Sequence, residues 1–226
     1  MLTDGALHRL LAWTSPSYPV GSFAYSHGLE TAVEDGRVKT ADDMADYIEA
    51  VLTRGGGWVD AVLFVHGWRA AGDEAAFDGV AELAAAFRGS SETALESRQQ
   101  GAAFLSITRA AWPHPALDAF AARWGDRPVA HSAAMALASA AHGLPLEPAL
   151  HGWLHATAAN LVSAGVRLVP LGQTDGQRAL TRLSARLPAI AEAAMATPLD
   201  SLGTGAPLLE LASIAHETLY TRLFRS

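Results

Sequence analysis

No cysteine occurs in the 226 residues, which excludes disulfides, thiolate metal sites and cysteine nucleophiles at once. Basic runs are absent too. The formal net charge is −7, spread over both ends of the chain, which argues against nucleic acid or an anionic membrane as the main partner. A basic or metal-loaded partner suits that charge better. No apolar stretch is long enough to cross a bilayer. The N-terminus carries Asp4 and His8 among its apolar residues and lacks the basic-then-hydrophobic order of a secretory signal, so a soluble cytoplasmic protein is expected. Repeats, low-complexity tracts and linkers are missing as well. Half of the residues are hydrophobic, enough to bury one full core, so residues 1–226 are expected to form a single domain.

What is present has helical spacing. Leu7, Leu10 and Leu11 mark a first helix behind Thr3 or Asp4. Ser22 is placed to cap a second, holding Ala24, Leu29 and Val33 and ended by Asp35-Gly36. Thr40 with Asp43 opens a third, with Met44, Ile48, Val51 and Leu52 on one face; Gly55-Gly56-Gly57 reads as a flexible stop after it. Further helices are expected over 58–71, 74–88, 90–112, 115–124, 129–141, 147–169, 174–187 and 188–196. After Pro207 the stripe Leu208, Leu211, Ile214, Ala215, Leu219, Leu223 keeps helical spacing to the end. The expectation is an all-α fold, a single globular bundle of about ten helices without significant β-sheet. Branched residues in 59–65 and 161–169 leave buried parallel strands as the alternative, with the glycines after Val169 as a phosphate loop. Gly172 and Gly176 fit neither the dinucleotide fingerprint nor the P-loop, and no lysine follows in the required place.

Three segments carry more than packing. In Val169-Pro170-Leu171-Gly172-Gln173-Thr174-Asp175-Gly176-Gln177, proline stops the preceding helix. Glycines then permit close approach, and the glutamines offer donors and acceptors without charge, which suits docking of a partner or a ligand. In Tyr18-Pro19-Val20-Gly21-Ser22-Phe23-Ala24-Tyr25-Ser26-His27-Gly28-Leu29-Glu30, the plain reading is a loop and helix cap. The sharper reading pairs Ser26 with His27 as nucleophile and base, but neighbours on a helix point apart. The third segment, Tyr220 to Arg225, mixes arginine with aromatics as interface hot spots do, and a terminal helix packed on its own core is the equal alternative. His151 and His155, four apart on one helix, are candidate metal ligands. Gly152 stands where a zinc protease would need glutamate, and His131 and His142 are third ligands that spacing does not place.

Taken together, these segments and the ending His216-Glu217 with Leu219 to Ser226 resemble the UreF family of urease accessory proteins over nearly the whole chain. The resemblance implies a non-catalytic, all-helical homodimer that binds UreD, called UreH in some organisms. The pair recruits the GTPase UreG to apo-urease and acts as a checkpoint on GTP hydrolysis while nickel is inserted. It implies no tightly bound cofactor: nickel is handled in transit, and GTP belongs to the partner. It puts Pro19, Gly21, Ser22, Tyr25, Gly28 and Glu30, with Pro170, Gly172, Gln173, Gly176 and Gln177, on the GTPase side. Tyr220, Arg222, Leu223, Phe224 and Arg225 fall on the UreD side, in a tail that orders when UreD binds. Residues 1–15 and 198–226 are accordingly expected to be mobile until partners bind. His27 stands where many relatives have glutamine, and Ala215 where arginine is frequent. A Ser/His hydrolase and a stand-alone histidine-based metal binder are the alternatives.

Overall fold

The computed structural model describes residues 2–226. In chain order the helices are α1 (Asp4–Trp13), α2 (Leu29–Glu34), α3 (Ala41–Arg54), α4 (Gly56–Ala70), α5 (Glu74–Ala86) and α6 (Ser91–Ala111). Then follow α7 (Pro115–Trp124), α8 (His131–Ala141), α9 (Leu146–Leu168), α10 (Gln173–Ser184), α11 (Leu187–Ala196) and α12 (Pro207–His216). Single 3₁₀ turns lie at Ser22–Ala24 and Leu199–Ser201, and no strand occurs among the described residues. The all-α expectation holds.

Polar side chains cap the start of five of these helices. Thr3 accepts the Ala6 N–H, Asp73 that of Ala76 and His114 that of Ala116. Thr40 with Asp43, and Ser90 with Thr93, each close a reciprocal cap. Such caps satisfy first-turn amides that have no partner inside the helix.

The centre is α4, packed against α3, α5, α8, α9 and α11. Val59 and the run Ala61 to Val65 are buried, as is every residue from Ser132 to Ser139 in α8. A helix enclosed on most sides loses its amphipathic period, because each face needs apolar residues. That is why 59–65 and 161–169 look strand-like in the sequence, yet the first lies within α4 and most of the second within α9. Full burial of each valine, leucine or phenylalanine here contributes about 1.5–3 kcal/mol, which outweighs the roughly 1 kcal/mol that a glycine costs a helix. So Gly56 and Gly57 belong to α4, and the expected flexible stop shrinks to Gly55.

Two further expectations are corrected. Ser22 caps no α-helix: it begins a 3₁₀ turn, Tyr25 is extended, and α2 starts only after Gly28. The C-terminal helix ends at His216 instead of running to the end, because the chain must leave helical geometry for the amides of Leu223 and Phe224 to reach Glu30.

Candidate partner-docking site

The first segment is shaped by three residues in the left-handed region, Gly21 (φ 78°), His27 (φ 55°) and Gly28 (φ 74°). At Gly28 no other residue fits, since a Cβ there would stand 2.7 Å from the Ser213 nitrogen of α12. The backbone of α12 therefore lies directly on Gly28, with Ser213 in hydrogen-bonding reach of Ser90 at the head of α6 (2.7 Å).

This approach draws α2, α6, α12 and the tail around a buried group of charges. Glu30, in the first turn of α2, accepts the N–H of Leu223 at 2.6 Å on one oxygen and that of Phe224 at 2.9 Å on the other. His216 closes α12 with no exposed surface. Its Nε2 lies 3.0 Å from Glu30 and its Nδ1 2.6 Å from Glu92. Arg222 donates to the second Glu92 oxygen at 2.6 Å, and Glu217 accepts the Ser91 N–H at 2.8 Å.

One turn along α6, Glu96 gathers His27 (3.0 Å), Gln100 (2.8 Å) and the Ser226 hydroxyl (2.9 Å). Burial lowers the proton affinity of His27, but the charge and hydrogen bond of Glu96 outweigh it, so its pKa is raised. The tail runs beside the first segment on two backbone hydrogen bonds, from Arg225 N–H to Ala24 and from Ser26 N–H to Ser226. The Ser26 hydroxyl also donates to the Ser226 carbonyl, so Ser26 and His27 serve different partners and form no dyad. The Arg167 guanidinium of α9 sits 4.3 Å from the Phe224 ring centroid and donates to the Phe23 carbonyl; Asn160 donates to that of Ser22.

Behind this assembly opens a cavity of about 640 Å³ between the first segment, α4, α6, α9 and α12. Phe23 and His155 are on its wall, as are Asp60 and Arg88, a bidentate pair at 2.8 Å to which Ser132 adds a hydrogen bond. Burial favours a protonated Asp60, yet Arg88 prevails and its pKa is lowered. His131 also lines the cavity; its Nε2 is shut off without a partner, and burial pushes its pKa down to about 4.

The second segment lies on the other side of α9. Gly172 N–H donates to Asp175 at 3.3 Å, opening α10. Gly176 faces inward, where a Cβ would stand 2.8 Å from Val166 of α9; Ala179 and Leu183 follow it into the core. Arg182 reaches Asp42 and Asp46, and Arg186 reaches Glu49, tying α10 and the start of α11 to α3. Pro170, Gly172, Gln173 and Gln177 are exposed, so both glutamines point away from the helices they adjoin.

The residues singled out in the sequence thus fall into three groups. Pro19, Gly21 and Ser22 lie at or near the surface, while Tyr25, Gly28 and Glu30 are buried and shape the segment from beneath. In the tail Tyr220, Arg222, Leu223 and Arg225 are exposed and Phe224 is buried. The first segment meets the tail directly, and the second joins them through α9 and through α3, whose Tyr47 donates to the His27 carbonyl. His151 and His155 sit on α9, and no group of three or more acidic or histidine residues among the described ones could hold a metal ion. Glu92, Glu96 and Arg167, which hold the assembly together, were not singled out. The available signal was Glu92, Glu96 and Gln100 recurring every four residues, one polar face on α6.

Residues 38–184 match the family model described as UreF. A protein of Granulibacter bethesdensis named urease accessory protein UreF is 53% identical over 225 residues, 99% of this chain and 95% of that protein. Proteins of the same name from Bradyrhizobium diazoefficiens and Rhodopseudomonas palustris are 47% and 48% identical. They cover 98% and 99% of this chain and 92% and 93% of their own lengths.

Proposed function

Because the chain belongs to the UreF family of urease accessory proteins, and so serves urease maturation, we propose that it is the non-catalytic adaptor of nickel insertion. In this reading a cytoplasmic homodimer binds UreD (UreH), and the pair recruits the GTPase UreG to apo-urease. Nickel passes through the complex as cargo. GTP is bound and hydrolysed by UreG, with this chain as checkpoint.

One observation carries the reading: two exposed surfaces of different chemistry stand on one helical body. The rim Pro170, Gly172, Gln173 and Gln177 offers two uncharged amides, beside the ion pair of Asp175 and Arg178, able to meet backbone or side-chain donors and acceptors alike. On α12 and the tail, Leu208, Leu211, Ile214, Tyr220 and Leu223 are exposed large apolar residues beside Arg222 and Arg225. Scattered exposed leucines are ordinary on a protein surface, but Leu208, Leu211 and Ile214 recur at helical spacing on α12, and arginine and tyrosine in the tail that follows are residue types enriched at protein interfaces. Specific complexes bury about 800 Å² on each partner. UreG is assigned to the glutamine rim and UreD to the α12 and tail face.

Co-expression with UreD and UreG, sizing of the complex and urease activation with and without this chain test the reading. The paired change Gln173→Arg with Gln177→Glu is expected to lose UreG and keep UreD. Truncation after Leu219 is expected to lose UreD. Full three-protein assembly with both variants would overturn the assignment.

A further inference from the structure

Among the described residues six buried side-chain nitrogen or oxygen atoms make no hydrogen bond, and three of the six belong to residues on the wall of the cavity of about 640 Å³: Trp13 Nε1, His131 Nε2 and Trp153 Nε1. A buried polar atom without a partner is costly, so a fold seldom leaves several around one space. Both indoles are held in place. Trp13 is 3% exposed and meets Phe104 and Trp112 edge-on, at ring-centroid distances of 5.9 and 6.3 Å; Trp153 is 4% exposed and lies 6.2 Å from Phe64. An indole N–H only donates, and the His131 imidazole, kept neutral by burial, can donate or accept. The other polar groups of the wall are already matched. Asp60 is taken by Arg88 and Ser132, and Glu96 by His27 and Gln100. Between them Val51, Val59, Met135 and Leu161 are apolar and buried.

We infer that this cavity is a binding site for one small uncharged organic molecule, apolar over most of its surface and carrying a carbonyl-type oxygen that accepts from the indole N–H groups of Trp13 and Trp153. Its volume lies within the roughly 300–1,000 Å³ of small-molecule pockets, and a mostly apolar wall with a few fixed polar groups is their usual construction. A charged ligand fits poorly, because the acids and bases of the wall are paired with one another and a new charge would be buried without a counter-charge. A metal ion fits no better, since no group of three or more acidic or histidine residues among the described ones could hold it. Phe23, 66% exposed and still on the wall, stands at the mouth. No residue after Ser213 lines the cavity, and the three orphaned groups come from α1, α8 and α9, so the donors do not depend on where the C-terminal segment lies. The site is additional to the adaptor role and does not rest on it.

Prodan, an uncharged naphthalene ketone, and its analogue lacking the propionyl group probe the site in the full chain by equilibrium dialysis. The two share the apolar body and differ in the accepting oxygen. The native chain is expected to bind one prodan with a blue-shifted emission, and to prefer it to the analogue by about tenfold, the worth of a hydrogen-bonded carbonyl. The double change Trp13→Phe with Trp153→Phe keeps two aromatic rings and removes both N–H groups, so it should bind the two probes alike while circular dichroism shows the helices intact. Trp153→Phe alone, the milder change should the double variant not fold, is expected to reduce the preference to about threefold. Leu211→Asp, on the exposed face of α12, should change nothing. Absence of prodan binding overturns the inference, as does a preference that survives in the folded tryptophan variants. Loss of binding in Leu211→Asp would put the probe on the surface of α12 and overturns it too. No partner protein enters the measurement, so its failure and a failure of the adaptor reading are distinct.

Discussion

Replacing Glu30 by glutamine changes almost no volume and removes one charge, so its effect reports what that carboxylate holds. Three donors converge on it: Leu223 N–H at 2.6 Å, Phe224 N–H at 2.9 Å and His216 Nε2 at 3.0 Å. A glutamine side chain has one accepting oxygen and one donating nitrogen. Whichever way it is turned, one backbone amide faces an N–H. The hydrogen bond lost there was made to a charged group, worth about 1.5–3 kcal/mol, and those that remain fall to the value of neutral bonds. A loss of about 3 kcal/mol for the closed tail follows, limited to that segment because the tail can lift away while α2 and α6 stay packed. At 1.36 kcal/mol per tenfold, hydrogen exchange at Leu223 and Phe224 should quicken by roughly a hundredfold at fixed pH. Amides in α4, buried in the centre, should keep their rates. Exchange at the two tail amides within about threefold of the native chain would mean that Glu30 does not hold the tail, and the argument would fail.

Four other expectations can be checked. Gly176→Leu forces a branched side chain onto Val166, an overpacking of about 1–3 kcal/mol; the melting temperature should drop by several degrees, as calorimetry would show. Gly172→Leu places its Cβ no nearer than 3.6 Å to Asp175 at an ordinary φ of −80°, so stability should hold, and any loss of UreG in a pull-down reports the surface alone. His131, with its pKa lowered to about 4, resists protonation in the fold while the unfolded chain gains a proton below its ordinary value near 6.5. Stability should therefore fall as pH drops through that interval, by about 3 kcal/mol in all, and comparing urea unfolding of the native chain with His131→Gln isolates the effect. Arg88→Ala leaves Asp60 buried without its counter-charge and should cost about 3–5 kcal/mol in urea unfolding; Asp60→Asn in the same chain should restore part of it.

Legibility followed the range of the interaction. Thr40 with Asp43 and Ser90 announce their helix starts because a cap involves residues three apart, and Pro170 marks the end of α9 because proline constrains its own neighbours. The same local logic misplaced Ser22, since the left-handed turn at His27 and Gly28 is demanded by the backbone of α12, almost two hundred residues away. Residues 59–65 are helical as expected; they leave a strand open as the alternative because their apolar pattern reports enclosure by five helices more than it reports a period.

Composition and periodicity determined by themselves that the chain is helical and free of thiol chemistry, and the three segments were enough to indicate the family. These properties lie in single residues and in spacings of a few positions. Only the tertiary structure decided which of the marked residues face outward and which hold others in place. It turned Gln173 and Gln177 to solvent, sank Gly176 against Val166, and joined Glu30 both to the Phe224 amide and to the buried His216. Where a side chain points depends on the helix it faces, and the helices facing Glu30 and His216 come from opposite ends and the middle of the chain.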